Sequence, residues 1–143
     1  TWTGQVRADR HYTMAGITDG ASNTLMISEN IRTGYDPKAW TANWSSPSPF
    51  LTSFYIGDPC VNGRCTEGNV DYNLANSGSA AINAGLEQPE GRAPFPNSLH
   101  TGGVNAGYCD GHFSFLSEKI DGKVYAALAS PQGQSLAGTL LEQ

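Results

Sequence analysis

The sequence VNAGYCDGHFSFLS, residues 104–117, carries the strongest structural signal in this chain of 143 residues. Asp110-Gly111 lies between two runs in which apolar and polar residues alternate, a pattern typical of a β-hairpin. A two-residue type I′ loop at this dipeptide would place Cys109 opposite His112. The apolar face in this register is predicted to pack on the core and leaves Leu116 on the opposite face. It consists of Val104, Ala106, Tyr108, Phe113 and Phe115.

A short helix is predicted directly after this hairpin. Asp121 is a good N-cap, and residues 123–130 are rich in helix-forming residues. Val124, Ala127 and Leu128 recur at helical spacing and form the face that we expect to be buried. The proline that follows ends the helix.

The stretch ITDGASNTLMISENI, residues 17–31, predicts a turn followed by a strand. Asp19-Gly20 is a turn dipeptide, and Asn23 extends the turn. Residues 24–31 then alternate with period two and are apolar on both faces, which favours a largely buried strand, with a short helix as the alternative. The fold class that follows is α+β and rich in β-structure, with an antiparallel sheet, a C-terminal hairpin and a short helix.

Residues 34–99 show no sustained periodicity and contain many glycines and prolines, which predicts a variable, loop-rich insertion. Short strands are expected within it, and residues 52–56 are the best candidate. Its aromatic side chains either hold the segment to the core or form a surface that stacks on a sugar or contacts a partner. These candidate binding residues are Trp40, Trp44, Phe54 and Tyr55.

Length and charge limit the classes of partner. A chain of this size is expected to form a single domain over residues 1–143. Thirteen acidic residues outnumber eight basic ones, so neither nucleic acid nor an anionic membrane surface is an expected partner. No run of residues approaches the ~18 apolar positions of a membrane-spanning helix. The chain begins at Thr1 without a signal peptide, and we expect a mature or trimmed form.

The three cysteines predict one structural bridge. Cys60 and Cys65 bracket an Asn-Gly turn, which indicates a disulfide in an oxidising compartment, with metal-binding thiols as the alternative. Cys109 is expected to be a buried apolar residue. The alternative for Cys109 is a nucleophile, as in a hydrolase, activated by His100 or His112.

No set of residues in the sequence predicts an active site. The strand between His100 and Asp110 separates them by roughly 20 Å at ~3.4 Å per residue, so structural roles are expected for both. No phosphate-binding loop, nucleophile elbow or zinc-protease motif is present. We therefore predict no enzyme activity, no metal site and no cofactor, with Ca²⁺ held by aspartate-containing loops as the alternative.

Two stretches resemble motifs of a bacterial family. Residues 98–121, SLHTGGVNAGYCDGHFSFLSEKID, contain an H-x9-D-G pattern at His100, Asp110 and Gly111. Residues 17–29 resemble the I-T-D-G-x-S-N-T motif of the same family and end in a glutamate. The matching positions there are Asp19, Gly20, Asn23 and Glu29. The chain therefore resembles the C-terminal part of prepilin-like proteins of the H-x9-D-G domain family, which carry a prepilin-type N-terminal cleavage and methylation segment.

This resemblance implies a pilin-like head of an exported protein, similar to that of a minor pilin or pseudopilin. Such a protein is a structural, non-catalytic component that is secreted or displayed at the cell surface. Its implied partners are other pilin or pseudopilin subunits or surface proteins. The long hydrophobic N-terminal helix of these proteins is not part of this chain. The alternative function is an extracellular module that depends on Ca²⁺ or binds carbohydrate, with a glycan as its partner.

Overall fold

The computed structural model describes residues 13–33, 56–57 and 71–133, and the structural statements below concern these residues. They contain an antiparallel sheet of three strands in the order β1-β2-β3. The strands are β1 (Leu25–Ser28), β2 (Gly103–Tyr108) and β3 (Phe113–Ser117), and helix α1 (Gly122–Leu128) follows them. Short 3-10 helices accompany them at Met14–Gly16, Ala21–Asn23, Tyr72–Asn76 and Gly78–Ala80. The described part of the chain is therefore α+β, as predicted.

The hairpin lies where the sequence predicts it, but its register differs by one residue. Val104 pairs with Leu116, and the pairing continues without interruption along β2 and β3. The loop has three residues rather than two, because the N–H of Tyr108 donates to the carbonyl oxygen of His112 (2.9 Å). Its last residue, Gly111, has a φ of +91°, which favours glycine. A three-residue loop with glycine at this position is a common alternative to the two-residue turn.

The shift by one residue exchanges the two faces of β3. Phe113 and Phe115, predicted in the core, are 68% and 52% exposed. Leu116, predicted on the opposite face, is buried opposite Val104. The predicted core face is therefore wrong for β3, whereas it is confirmed for the residues of β2, namely Val104, Ala106 and Tyr108.

Strand β1 confirms the predicted strand, although it is shorter and buried on one face only. A register shift between Leu25 and Ile27 interrupts its pairing with β2, as a β-bulge does. Leu25 lies opposite Tyr108 and is buried, whereas Ile27 lies opposite Gly107 and is 48% exposed. The bulge thus places Ile27 on the same side of the sheet as the exposed phenylalanines of β3.

Helix α1 begins as predicted after Asp121. The carboxylate of Asp121 accepts hydrogen bonds from the backbone N–H groups of Lys123 (2.9 Å) and Val124 (3.2 Å). The buried face differs from the prediction, because Tyr125 is fully buried while Val124 is half-exposed. The helix packs against the 3-10 helix Tyr72–Asn76.

The described part of the predicted insertion belongs to the core rather than to the surface alone. Ala75 and Ile82 are buried among the side chains of the sheet and of α1. Residues 71–99 contain turns and 3-10 helices, so the loop-rich character is as predicted. The β-structure within this range is limited to a parallel bridge between Asn30 and Asn97.

Several predictions fall outside the described residues and stay predictions. They are most of the strand at 52–56, the disulfide Cys60–Cys65, and the aromatic surface of Trp40, Trp44, Phe54 and Tyr55. Within the described ranges, no helix is long and apolar enough to cross a membrane.

Candidate functional site

The two sequence motifs lie side by side, and contacts join them at both ends of β2. At the hairpin end, the N–H of Asp110 donates to the carbonyl oxygen of Ala21 (3.2 Å). At the other end, the carboxylate of Glu29 meets the ring of His100. Each motif therefore supplies hydrogen-bond partners for the other, although nearly half of the chain lies between them in sequence.

Glu29 is the centre of a polar cluster at one end of β2. Its Oε2 accepts a 2.8 Å hydrogen bond from the backbone N–H of Asn105, and its Oε1 accepts one of 3.0 Å from the Asn105 side chain. The Nε2 atom of His100 lies 3.3 Å from Oε1. Partial burial tends to raise the pKa of Glu29, but the hydrogen bonds from Asn105 and the nearby His100 outweigh it, so this pKa lies below its ordinary value. The carboxylate thus accepts the hydrogen bond from the N–H of Asn105 that a backbone carbonyl oxygen would accept in a regular pair of strands.

Asp110 holds a second cluster at the hairpin loop. Its Oδ1 accepts a hydrogen bond from the backbone N–H of His112 (3.0 Å) and lies 2.6 Å from the ring Nδ1. The ring of His112 stacks on Tyr108, with centroids 4.2 Å apart and 10° between the planes. Hydrogen bonds from the backbone and the ring of His112 lower the pKa of Asp110. Asp110 therefore fixes the loop and the position of this histidine.

The turn of the first motif is fastened to the C-terminal side of the described chain. Asp19 is buried, and its carboxylate accepts a hydrogen bond from the N–H of Gly133. The side chain of Asn23 donates to the carbonyl oxygen of Asp19 (3.0 Å). Gly20 has a φ of +89°, where a side chain would be strained. Each of these motif residues thus has a structural contact or a backbone requirement.

The outer face of the sheet carries exposed apolar side chains. It is formed by Ile27, Asn105, Gly107, Phe113 and Phe115. Gly107 leaves room for two of them, because a Cβ there would lie 2.8 Å from Cγ1 of Ile27 and 2.9 Å from Cε1 of Phe113. Side chains of both edge strands therefore converge over the backbone of the central strand. Exposed apolar surface of this kind is typical of a site that contacts another molecule.

The structure does not bring His100 and Asp110 together. They pair with Glu29 and His112 at opposite ends of β2. Cys109 has a free thiol and is half-buried, not fully buried as predicted. Within residues 13–33, 56–57 and 71–133, no group of three or more His, Cys, Asp or Glu side chains is placed to hold a metal ion.

Sequence reasoning missed both the contact between Glu29 and His100 and the outer face. A signal for the contact was present, because Glu29 ends one motif and His100 begins the other. The outer face had no such signal, because its phenylalanines are placed by the length of the hairpin loop. An Asp-Gly dipeptide is compatible with loops of two or three residues.

Comparison with known proteins gives a family match. A family described as a protein of unknown function (DUF1559) matches residues 2–123, which is most of the chain. No significant match is found among curated proteins or among solved structures.

Proposed function

The chain belongs to the DUF1559 family, which is associated with prepilin-like and pseudopilin-like proteins, and on this premise we propose that it is a structural component of the cell surface. In this proposal it resembles the head of a minor pilin or pseudopilin and is not an enzyme. It is extracytoplasmic and acts by contact with other pilin or pseudopilin subunits or with surface proteins.

The observation that carries this proposal is the exposed outer face. Ile27, Phe113 and Phe115 present apolar side chains to solvent, at exposures from 48% to 68%. Polar groups of Glu29 and His100 border them at one end. An apolar centre with a polar rim is the usual anatomy of a protein interface, and the energy gained by covering such side chains favours association.

The contacts of the H-x9-D-G residues also support a scaffold role. His100 is paired with a carboxylate of the first motif, and Asp110 is hydrogen-bonded to the loop that it belongs to. His100 thus links this motif to the residue that follows β1, and Asp110 fixes the loop between β2 and β3. In the proposal, the motif preserves the sheet that displays the outer face.

The proposal is tested in cells that make the full-length protein. A membrane-impermeant labelling reagent is applied to intact cells, to show whether the protein is outside the cell. Surface structures are then sheared from the cells, and the amount of the protein in this fraction is measured. Ile27→Lys places a charge on the outer face and is expected to reduce the amount recovered with surface structures. Val124→Lys is the matched control, because Val124 on α1 is equally exposed (51%, against 48% for Ile27).

Two outcomes would contradict this function. One is a protein that the reagent labels only after the cells are broken. The other is equal recovery of Ile27→Lys, Val124→Lys and the unmodified protein, which would separate the outer face from any role at the surface.

A carbohydrate-binding module is the second candidate, and one observation favours it. Phe113 and Phe115 expose two aromatic rings on the same side of one strand, next to hydrogen-bonding side chains such as Asn105. Aromatic rings of this kind stack on sugar rings. A glycan that binds only the folded protein must raise its melting temperature, and Phe115→Ala should abolish that rise. Titration with Ca²⁺ in the same assay tests the ion-dependent form of this function.

A further inference from the structure

The residues that follow α1 return to the first sequence motif and are hydrogen-bonded to it. The carbonyl oxygen of Pro131 accepts a hydrogen bond from the backbone N–H of Thr18 (3.0 Å) and a longer one from the Thr18 hydroxyl (3.4 Å). The carboxylate of Asp19 accepts a hydrogen bond from the N–H of Gly133, and both residues are buried. We call these four residues the clasp.

The clasp lies directly against α1. A Cβ at Gly133 would lie 2.5 Å from the carbonyl oxygen of Ala127 and 2.8 Å from its Cα. Among the residues that the structure describes, the hydrophobic core includes Tyr125 and Ala126 of α1 but none of residues 131–133. A side chain at position 133 would therefore move residues 131–133 away from the helix, because the helix is anchored in the core and they are not.

The clasp continues into a turn, residues 19–24, that is hydrogen-bonded within itself. The side chain of Asn23 donates to the carbonyl oxygen of Asp19 (3.0 Å), and its backbone N–H donates to that of Gly20 (3.0 Å). The hydroxyl of Thr24, which is buried, also donates to the carbonyl oxygen of Gly20 (3.3 Å). These bonds join both ends of the turn, so we expect the turn to move as one piece.

The far side of this turn holds the hairpin loop, residues 109–111. The N–H of Asp110 donates to the carbonyl oxygen of Ala21 (3.2 Å), and the N–H of Cys109 donates to that of Thr24 (2.9 Å). Hydrogen bonds therefore run without interruption from residues 131–133, through the turn, to the loop between β2 and β3.

We propose that the clasp, the turn and the hairpin loop open and close as one unit, so that release of residues 131–133 frees the loop while the rest of the sheet stays folded. When Gly133 leaves, the buried carboxylate of Asp19 loses one of its hydrogen bonds, which is costly for a charged group away from water. The turn then rotates this carboxylate toward solvent and withdraws its carbonyl oxygens from the loop. The inference does not depend on the proposed surface function.

Amide hydrogen exchange of the full chain, followed by NMR, tests this inference. Hydrogen bonds protect the N–H groups that donate them, and exchange reports how often each bond opens. Gly133→Ala should speed exchange at Cys109 and Asp110 about tenfold or more, because both amides donate to the turn. Exchange at Asn105, which donates to the Glu29 carboxylate at the other end of β2, should change much less.

Gly102→Ala is the matched control. It makes the same substitution before β2, where no atom lies within 4 Å of the Cβ position and only a positive φ opposes the change. It should not speed exchange at Cys109 and Asp110 selectively. Unchanged exchange at these two amides in Gly133→Ala, or an equal increase at Asn105, would overturn the inference.

A milder variant keeps the test valid if Gly133→Ala does not fold. Asp19→Asn retains an oxygen that can accept from the N–H of Gly133, but it removes the charge from this hydrogen bond. It should speed exchange at Cys109 and Asp110 by a smaller factor than Gly133→Ala. No change at these amides would contradict the proposed unit.

The reverse experiment starts from the loop, because coupling between two places is reciprocal. Gly111→Val strains the loop at a φ of +91°. In a single unit it should speed exchange at the donors of the clasp, Thr18 and Gly133, by the same factor as at Cys109 and Asp110. A change confined to the two loop amides would show that loop and clasp open independently, and the inference would then be wrong.

Discussion

β1 and β3 flank the same central strand, yet they are attached to it in different ways. β3 follows β2 through a three-residue loop and pairs with it regularly over its whole length. β1 comes from a distant part of the chain, and its pairing contains a bulge. After β1 ends, the Glu29 carboxylate continues its pairing with β2 by accepting a hydrogen bond from the N–H of Asn105. The backbone of Glu29 is bonded on its other side, where its carbonyl oxygen accepts a hydrogen bond from the N–H of Asn97 (3.0 Å).

This difference shows what holds each strand in place. A loop of a few residues sets the register of β3, and among the residues that the structure describes no other strand pairs with its outer edge. The distant strand is supported by a side-chain acceptor and by the backbone bonds between Asn97 and the residues that follow it, and its ladder contains a bulge. Bulges and covering loops are general means by which proteins prevent unwanted pairing at an edge.

The largest expected effect tests which face of β3 lies in the core. Leu116→Ala should lower the free energy of unfolding by about 3 kcal/mol, because Leu116 is buried and its removal leaves a cavity. Phe115→Ala, one position away, should cost less than about 1 kcal/mol, because the ring is half-exposed. Urea denaturation of both variants measures the difference. A larger loss for Phe115→Ala than for Leu116→Ala would contradict this register and favour the two-residue loop predicted from the sequence.

The next effect tests the close contact between β2 and β3. A Cβ at Gly103 would overlap the carbonyl oxygen of Leu116, so Gly103→Ala should destabilise the protein by about 2 kcal/mol. Gly102→Ala is the control: no atom lies within 4 Å of its Cβ position, and only its positive φ of +88° opposes the change. We expect a loss of about 1 kcal/mol there. Equal losses in urea denaturation would show that the contact at Gly103 is relieved easily.

The hairpin loop provides a smaller effect. Gly111→Val should cost about 1.5 kcal/mol, because a β-branched residue is strained at a φ of +91° even though the surrounding space is open. Gly111→Asn should cost less, because asparagine tolerates positive φ. Thermal melting of the two variants gives the comparison. An unchanged melting temperature for Gly111→Val would contradict the loop geometry.

The smallest effect concerns the attachment of β1. Glu29→Gln should cost about 1 kcal/mol at neutral pH, because it removes the charge from the hydrogen bonds with Asn105. Since folding lowers the pKa of Glu29 below 4.5, its contribution to stability is present above that pH and is lost as pH falls through the folded value. The variant should therefore lose less stability than the unmodified protein on acidification. Parallel acid-induced unfolding curves for the two proteins would contradict this assignment.

Local chemistry made part of this fold predictable. Asp110-Gly111 located the hairpin, Asp121 located the start of α1, and alternation located β1. These signals depend on residues that are close in sequence, such as a carboxylate two and three residues before the N–H groups that it caps.

The remaining features depend on distant residues or on a choice between similar local geometries. The dipeptide did not distinguish a loop of two residues from one of three, and Phe113 and Phe115 therefore went to the wrong face. The buried side of α1 is set by what packs on it, which includes the 3-10 helix Tyr72–Asn76. The sequence around that helix has no periodicity, so its contribution of Ala75 to the core could not be read from it. The pairing of Glu29 with His100 is likewise a property of the folded chain.

Hydrogen bonds join residues 17–29 to residues much nearer the C-terminal end of the chain, and this affects the order in which the protein folds. Glu29 and Asn105 are 76 positions apart, and Asp19 and Gly133 are 114 positions apart. During synthesis, residues 17–29 therefore emerge well before Asn105 and Gly133. Contacts of such high sequence separation form slowly. We therefore expect chains shortened before Gly133 to be degraded by proteases faster than the whole chain.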